Sequence, residues 1–551
     1  MKLDRRNFIG TGAAIAAAMA APTVMASGKP RVVVVGGGAS GSVVASRLSE
    51  DPNVKVLLLE AGDLDVDPAI KETAVTDLFK VWKPELSWGL ETEPEPYCKD
   101  LKKPLIQGRV LGGGSTVNGR IFVRGHRRDY DNWAHLGNDG WAYEDVLPYF
   151  KKLEDFEGGA SETRGVDGPI HIAKLKDPTP TALAWVEASK QQGYGGDTDY
   201  DYNSLEQGNT ATLTQSATTK DGLRNSTAVG YIHPIMERAN FTLRTKCEVS
   251  KIIMDENKAI GVQYASNLDR LGSEVRGTPE YKNIKVTKEV ILSAGPYQSP
   301  KILMLSGIGP KEHLAEFNIT LVKDLPGVGQ NLQDHIVGRM AWKFNDSVDL
   351  SQQNVPSIIS ENMHFTYSRP GLEKAASPDI QFCVGGFMFP DVSPDPGFTV
   401  VPAVVQAQGT GSVKLASTNP FDNPKVVHNY FESEEDMNVL LKAFRLARDI
   451  VTSSAFDHLR GEEVLPGADK QSDESLKEYF RDTSFTQWHP SCSCKMGYDK
   501  MAVVNPKLKV HGVESLRVID SSIMPFIVNC NLNATCIMIG EKGADLIKSD
   551  N

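Results

Sequence analysis

The hydrophobic pattern of the chain opens clearly at residue 31. Arg31–Val35 is an unbroken β-branched run, the mark of a strand buried on both faces of a parallel sheet. A glycine-rich turn follows, and Ser42–Leu48 then carries a helical pattern. Val54–Leu59 is a second apolar strand, and it ends on Glu60. The pattern predicts β–turn–α–β. A third strand is expected over Glu289–Ala294, leading through Gly295 into a helix. A further single strand is expected over Asn240–Val249. Gly158–Leu223 is polar and turn-rich and is expected to be loops at a domain edge.

The first turn fits G-x-G-x-x-G at Gly36, Gly38 and Gly41, with Ala39 and Ser40 opening the helix. Gly36 permits a tight turn, Gly38 lets backbone approach a pyrophosphate, and Gly41 lets helix pack on strand. The helix N-terminus then offers free N–H groups to phosphate. Glu60 lies 19 residues past Gly41, where a carboxylate can accept ribose hydroxyls, with Ala61 beside it. This unit predicts a bound dinucleotide without separating FAD from NAD. A second loop, Gly108–Asn118, contains Arg109, Gly112, Gly113, Ser115 and Asn118 and leaves many backbone N–H groups for an anion or a polar ring edge.

Charge and composition narrow the function. Lys+Arg number 59 and Asp+Glu 70, a formal net charge of -11, which argues against a nucleic-acid partner. Seven Cys in 551 residues are too few for a disulfide scaffold. Cys492, Cys494, Cys530 and Cys536 fall on two short segments near the C-terminus. Their spacing is poor for zinc, no metal site is predicted, and a disulfide among them is left open. The N-terminus holds Asp4-Arg5-Arg6-Asn7-Phe8-Ile9, a twin-arginine signature, then a short Ala/Gly stretch ending at Val24-Met25-Ala26. Residues 1–26 are therefore expected to be a signal peptide for export of the folded protein to the periplasm or beyond. No later segment reads as transmembrane.

Three stretches carry a resemblance. Gly108–Asn118, Gly295–Gly309 and Leu325–His335 are similar to signature segments of the glucose–methanol–choline (GMC) oxidoreductases, FAD enzymes acting on alcohols. Gln487-Trp-His489-Pro490 through Gly497 resembles the family's His-Pro segment, closest to its choline dehydrogenase wording. The resemblance implies an α/β fold: a Rossmann-like FAD domain (29–155, 225–335 and 495–551) with a second α+β substrate domain (156–224 and 336–494). It implies FAD contacts at Val249, Asp520 and Asn533. His489 takes the role of general base, with hydride passing to flavin N5. Asn531, ten residues before Glu541, takes that of hydrogen-bond partner to the reacting oxygen. Read without the family, Asn531 fits a tight turn equally well. Some relatives tether FAD through a His at the position of Val117, so FAD is expected to be non-covalent here.

His335 has no chemical role in the family and is read as structural or cofactor-edge. Trp488 stands where the choline dehydrogenase pattern has Tyr. It is expected either to contact substrate or to pack against His489. The expected reaction is oxidation of a primary alcohol to an aldehyde. An aromatic or furanic alcohol oxidase using oxygen is the alternative, and a lyase of the same fold is the alternative from another class. Oxygen or an external quinone or cytochrome would be the electron acceptor. The alcohol and the oligomeric state are not specified by the sequence.

Overall fold

The computed structural model describes residues 29–350 and 355–550; residues 1–26, the expected signal peptide, lie outside the described residues. Five parallel strands form the first sheet. Their spatial order is Phe241–Arg244, Val56–Leu59, Val32–Val35, Glu289–Leu292 and Leu516–Val518. Val32–Val35 and Val56–Leu59 are buried at every position, as a parallel sheet covered on both faces requires. The helix Ala39–Leu48 leaves the central strand and packs against the C-terminal helix Asn533–Ser549. Gly540 allows this close approach, because a Cβ there would lie 2.8 Å from the Ser40 carbonyl oxygen and from the Val43 Cβ. Glu541 is buried in the same contact and accepts hydrogen bonds from Arg47 and Tyr231.

A second sheet of nine mainly antiparallel strands is built from chain between Gly195 and Thr486. Its middle strands are Met340–Phe344, Gly397–Val404, Ile380–Gly385 and Asn362–Thr366. The helices Glu434–Val451 and Pro180–Gln191 cover it and share a core with Phe382, Val400 and Trp185. A parallel sheet flanked by helices, joined to an α+β layer, is the architecture expected from sequence.

Two local expectations are corrected. Asn240–Val249 is not one strand. Phe241–Arg244 joins the parallel sheet, Lys246 turns the chain at φ 53°, and Cys247–Asp255 begins a separate antiparallel sheet. Burial on both sides of the break hid the turn. Gly158–Leu223 is not only loops. It holds the twelve-residue helix Pro180–Gln191 and the strands Ile170–Lys174 and Thr210–Leu213. Thr179 caps that helix through Ala182 N–H, and Pro180 opens it, a start signal masked by the polar flanks.

The seven cysteines are free thiols. Cys492, Cys494 and Cys530 are fully buried, and burial pushes the Cys492 thiol up to about 12. They fill the core rather than react. Among the described residues no group of three metal-ligating side chains occurs, and no helix is long and apolar enough to cross a membrane.

Candidate active site

One cavity runs from the glycine-rich turn to the His489 segment. At its first end, Gly36 turns at φ 96°, and a Cβ there would meet the Ser293 carbonyl oxygen at 2.4 Å. Gly41 presses on the Gly36 carbonyl, where a Cβ would lie at 2.0 Å. Gly38 is different: a Cβ on it would meet nothing within 4 Å. That open face, beside the N-terminus of Ala39–Leu48, is the space a pyrophosphate needs. Gly113 turns at φ 53° and brings the second glycine loop against Gly38.

Glu60 lines this end. Its carboxylate accepts from Gly37 N–H and Gly62 N–H, both at 2.7 Å, while burial raises its pKa. Gly36, Gly38, Ala39, Ser40, Ala61, Gly113, Ser115, Asn118, Val249, Asp520 and Asn533 also line the cavity. Asp520 spends its oxygens on Gly295 N–H, Ser299 Oγ–H and the N–H and Oγ–H of Ser522, so it fixes the Gly295 turn. Asn533 is the first residue of the C-terminal helix. Gly41 and Gly112 stand behind the wall. Arg109, expected among the cofactor contacts, also does not line the cavity. Its guanidinium donates to the Arg270 carbonyl at 2.7 Å and to those of Ala61 and Glu85. It is a buried brace between three loop segments.

At the far end His489 and Asn531 meet. Asn531 Nδ2 lies 3.2 Å from His489 Nε2, and both residues line the cavity. His489 follows the short strand Phe485–Thr486 and a sharp turn at Trp488, φ 60°. Asp334 secures this turn. Its Oδ1 accepts from the backbone N–H groups of His489 (2.8 Å) and His335 (2.9 Å). Its Oδ2 accepts from Tyr430 Oη–H (2.7 Å) and Thr486 Oγ1–H. Burial raises the Asp334 carboxyl to about 6, yet these four donors favour the ionised form at neutral pH.

The protons in this site can be placed by elimination. His335 Nε2 lies 3.0 Å from the Val528 carbonyl, which only accepts, so His335 Nε2 carries hydrogen. Burial lowers the His335 pKa to about 3, so the ring is neutral and its Nδ1 is bare. His489 Nδ1 is 2.9 Å from that nitrogen and must donate to it. Burial holds the His489 pKa well below the usual imidazole range. Neutral His489 thus has its lone pair on Nε2, facing Asn531 and the cavity. The Asn531 amide is oriented from behind, because Gln381 Nε2–H donates to Asn531 Oδ1 at 2.9 Å. Gln487 in turn donates to Gln381 Oε1 at 3.2 Å. Five hydrogen bonds, Gln487 to Gln381 to Asn531 to His489 to His335 to Val528, all run one way.

His335, Asp334 and Gln381 are the residues that sequence reasoning passed over or left structural. The Asp334-His335 pair was visible; its contact with His489, 154 positions away, was not. Gln381 is one glutamine in an apolar strand.

The parallel sheet, the open glycine turn and the His–Asn pair at one cavity are the parts of a dinucleotide-dependent oxidoreductase. The GMC oxidoreductase N-terminal family model matches residues 31–337 and the C-terminal one residues 407–540. The chain belongs to the GMC oxidoreductase family and is an FAD-dependent enzyme acting on alcohols. It is 38% identical over 539 residues to an oxygen-dependent choline dehydrogenase of Escherichia coli, covering 94% of this chain and 95% of the relative. A Brucella ovis protein of the same name is 37% identical over 540 residues, covering 94% and 95%. Among solved structures, pyridoxine 4-oxidase from Mesorbium loti superposes with TM-score 0.85 at 26% identity, over 95% of this chain and 99% of that one. An FAD-dependent oxidoreductase from Chaetomium thermophilum gives TM-score 0.82 at 28% identity, over 95% and 99%.

Proposed function

We propose that this enzyme oxidises a primary alcohol to the aldehyde with His489 as general base. The observation that carries the reading is the bare Nε2 of His489, held at the cavity by a fixed tautomer and 3.2 Å from an amide donor. An alcohol whose hydroxyl replaces the Asn531–His489 contact donates its proton to His489 Nε2. Its oxygen accepts from Asn531 Nδ2–H, which stabilises the charge that develops as the proton leaves. Bound FAD supplies the acceptor for the hydride lost from the alcohol carbon.

Glu60, the Gly36–Gly41 turn and Gly113 are the residues that would hold FAD. The cofactor is held without a covalent link, since Val117 stands where some relatives have a tethering His. Acid precipitation should release all flavin into the supernatant. Residues 1–26 serve as a twin-arginine signal, and the mature protein works outside the cytoplasm; a mature N-terminus near Ser27 in the periplasmic fraction is the check. Oxygen or a quinone takes the electrons onward, and re-oxidation kinetics with each distinguish them. The reaction itself is tested by mixing enzyme and alcohol without oxygen. Flavin bleaching with aldehyde formed in equal amount supports it, whereas turnover with the flavin still oxidised would indicate a lyase.

A further inference from the structure

The end of the cavity that faces His489 is walled by rings. Trp82, Phe387, Phe389, Phe485 and Trp488 all line it. Trp82 and Trp488 lie 4.8 Å apart at 49°, Phe387 and Phe389 5.0 Å apart, and Phe485 and Trp488 5.8 Å apart. Phe79 ties Trp82 to Phe389, at 5.4 and 5.7 Å, with steep interplanar angles. Trp82 is fixed by its indole N–H on the Val117 carbonyl at 3.0 Å. Val337, Thr399 and Val401 complete this end.

The acidic residues on the cavity wall are all elsewhere. Glu60, Glu248 and Asp520 are the three, and each is occupied at the glycine-rich end. Glu60 holds Gly37 and Gly62, Glu248 is paired with Arg270 at 2.7 Å, and Asp520 holds the Gly295 turn. Among the described residues, the ring-walled end has no carboxylate lining it to meet a cation. It also has a cation behind it. The Arg339 guanidinium sits over Phe389 at 5.7 Å and over Phe485 at 5.4 Å, and Arg339 pairs with the exposed Asp391. The electron-rich faces of two of the five rings are therefore already engaged by a positive charge.

We infer that the alcohol this site takes is uncharged and carried on an aromatic ring, an arylmethanol rather than a quaternary ammonium alcohol. This deepens the His489–Asn531 reading and rests on it. A neutral ring entering among tilted and edge-on aromatics extends the same packing and buries apolar surface. A trimethylammonium group would give up its hydration and meet no carboxylate among the described lining residues, while two of the five rings already carry Arg339 over their faces. The CH2OH group of an arylmethanol is then left at the polar corner made by His489 and Asn531.

The test uses the wild-type holoenzyme without oxygen and three alcohols: benzyl alcohol, choline and 3,3-dimethylbutan-1-ol. The last two share a shape and differ by one charge. The efficiency of flavin reduction should be highest for benzyl alcohol. The neutral isostere should exceed choline by about 100-fold, the scale on which a buried unmatched polar or charged group separates ligands. Choline reducing the flavin as efficiently as its neutral isostere, or better, would overturn the inference and leave the general-base reading intact. No reduction by any of the three would remove the alcohol-oxidation reading and this inference with it.

Discussion

His335 Nδ1 lies 2.9 Å from His489 Nδ1, and the two rings stand at 87° to each other. Two ring nitrogens at that distance share one proton. The Val528 carbonyl at 3.0 Å from His335 Nε2 decides which of them carries it. On the proposed reading of His489, the base is thereby poised before any substrate arrives. The same carbonyl also closes the chain, since it cannot take up a proton. The proton gained at His489 Nε2 has to leave by the cavity side.

Replacing His335 tests this directly. His335→Leu leaves the His489 Nδ1–H without an acceptor and frees the ring to adopt the other tautomer. Flavin reduction should slow by about 10–100-fold, less than when a charged orienting partner is lost, because His335 is neutral and holds His489 by one hydrogen bond. His335→Gln, whose amide oxygen can accept that proton, should recover part of the loss. The pH profile gives a second readout. Neutral His335 accepts the His489 Nδ1–H and so favours the imidazolium, and its removal should move the acid limb to lower pH, adding to the burial that already holds the His489 pKa down. An unchanged acid limb would contradict the contact.

Asn531→Asp makes an opposite demand. A carboxylate facing His489 Nε2 accepts but cannot donate, so it draws a proton onto that nitrogen and stabilises the imidazolium. Reduction at neutral pH should fall by about 100-fold, with activity recovering as pH rises. Asn531→Ala should cost less and leave the pH profile in place, because it removes a donor without adding charge. Rate measurements between pH 6 and 10 on both variants separate the effects.

Glu60→Ala removes the carboxylate that ties Gly37 to Gly62 at the edge of the cavity. FAD content after dialysis should fall well below wild type, and added FAD should restore it in part. Equal flavin content in the two proteins would count against Glu60 as a cofactor residue.

Much of this site was legible in the sequence because its chemistry travels in short segments. The Gly36–Gly41 turn needs no distant partner to be recognised, and the strand, helix and Glu60 around it form where the pattern places them. His489 and Asn531 were legible as residue types on two segments; their 3.2 Å approach supplies the pairing. What could not be read depends on long-range contact. Gln381 reaches Asn531 across 150 positions, and its sequence neighbours only mark a buried strand. Arg109 sits inside a glycine signature that suggests an anion, yet it turns to carbonyl groups of three other segments. The aromatic wall is assembled from Trp82, Phe387, Phe389, Phe485 and Trp488, residues that look like separate core positions until the fold gathers them.

A fourth prediction concerns stability. His364 is fully buried among Trp185, Tyr194 and Phe382, and neither ring nitrogen has a hydrogen-bond partner. Burial lowers its pKa to about 3. The unfolded chain binds a proton there from about pH 6.5 downward while the folded chain does not. Its contribution therefore weakens folding as pH falls through that window. His364→Phe removes the penalty, which is about 2 kcal/mol at pH 5 and near zero at pH 7.5. The melting temperature gained on substitution should be larger at pH 5 than at pH 7.5. A gain equal at the two pH values would contradict a buried neutral His364.

The most direct test is the rate of flavin reduction by a saturating alcohol, measured without oxygen, in wild type and His489→Ala with equal bound FAD. The account predicts a fall of at least about 100-fold, with the flavin spectrum of the resting enzyme retained. A variant that reduces its flavin at the wild-type rate would show that His489 Nε2 is not where the alcohol proton goes.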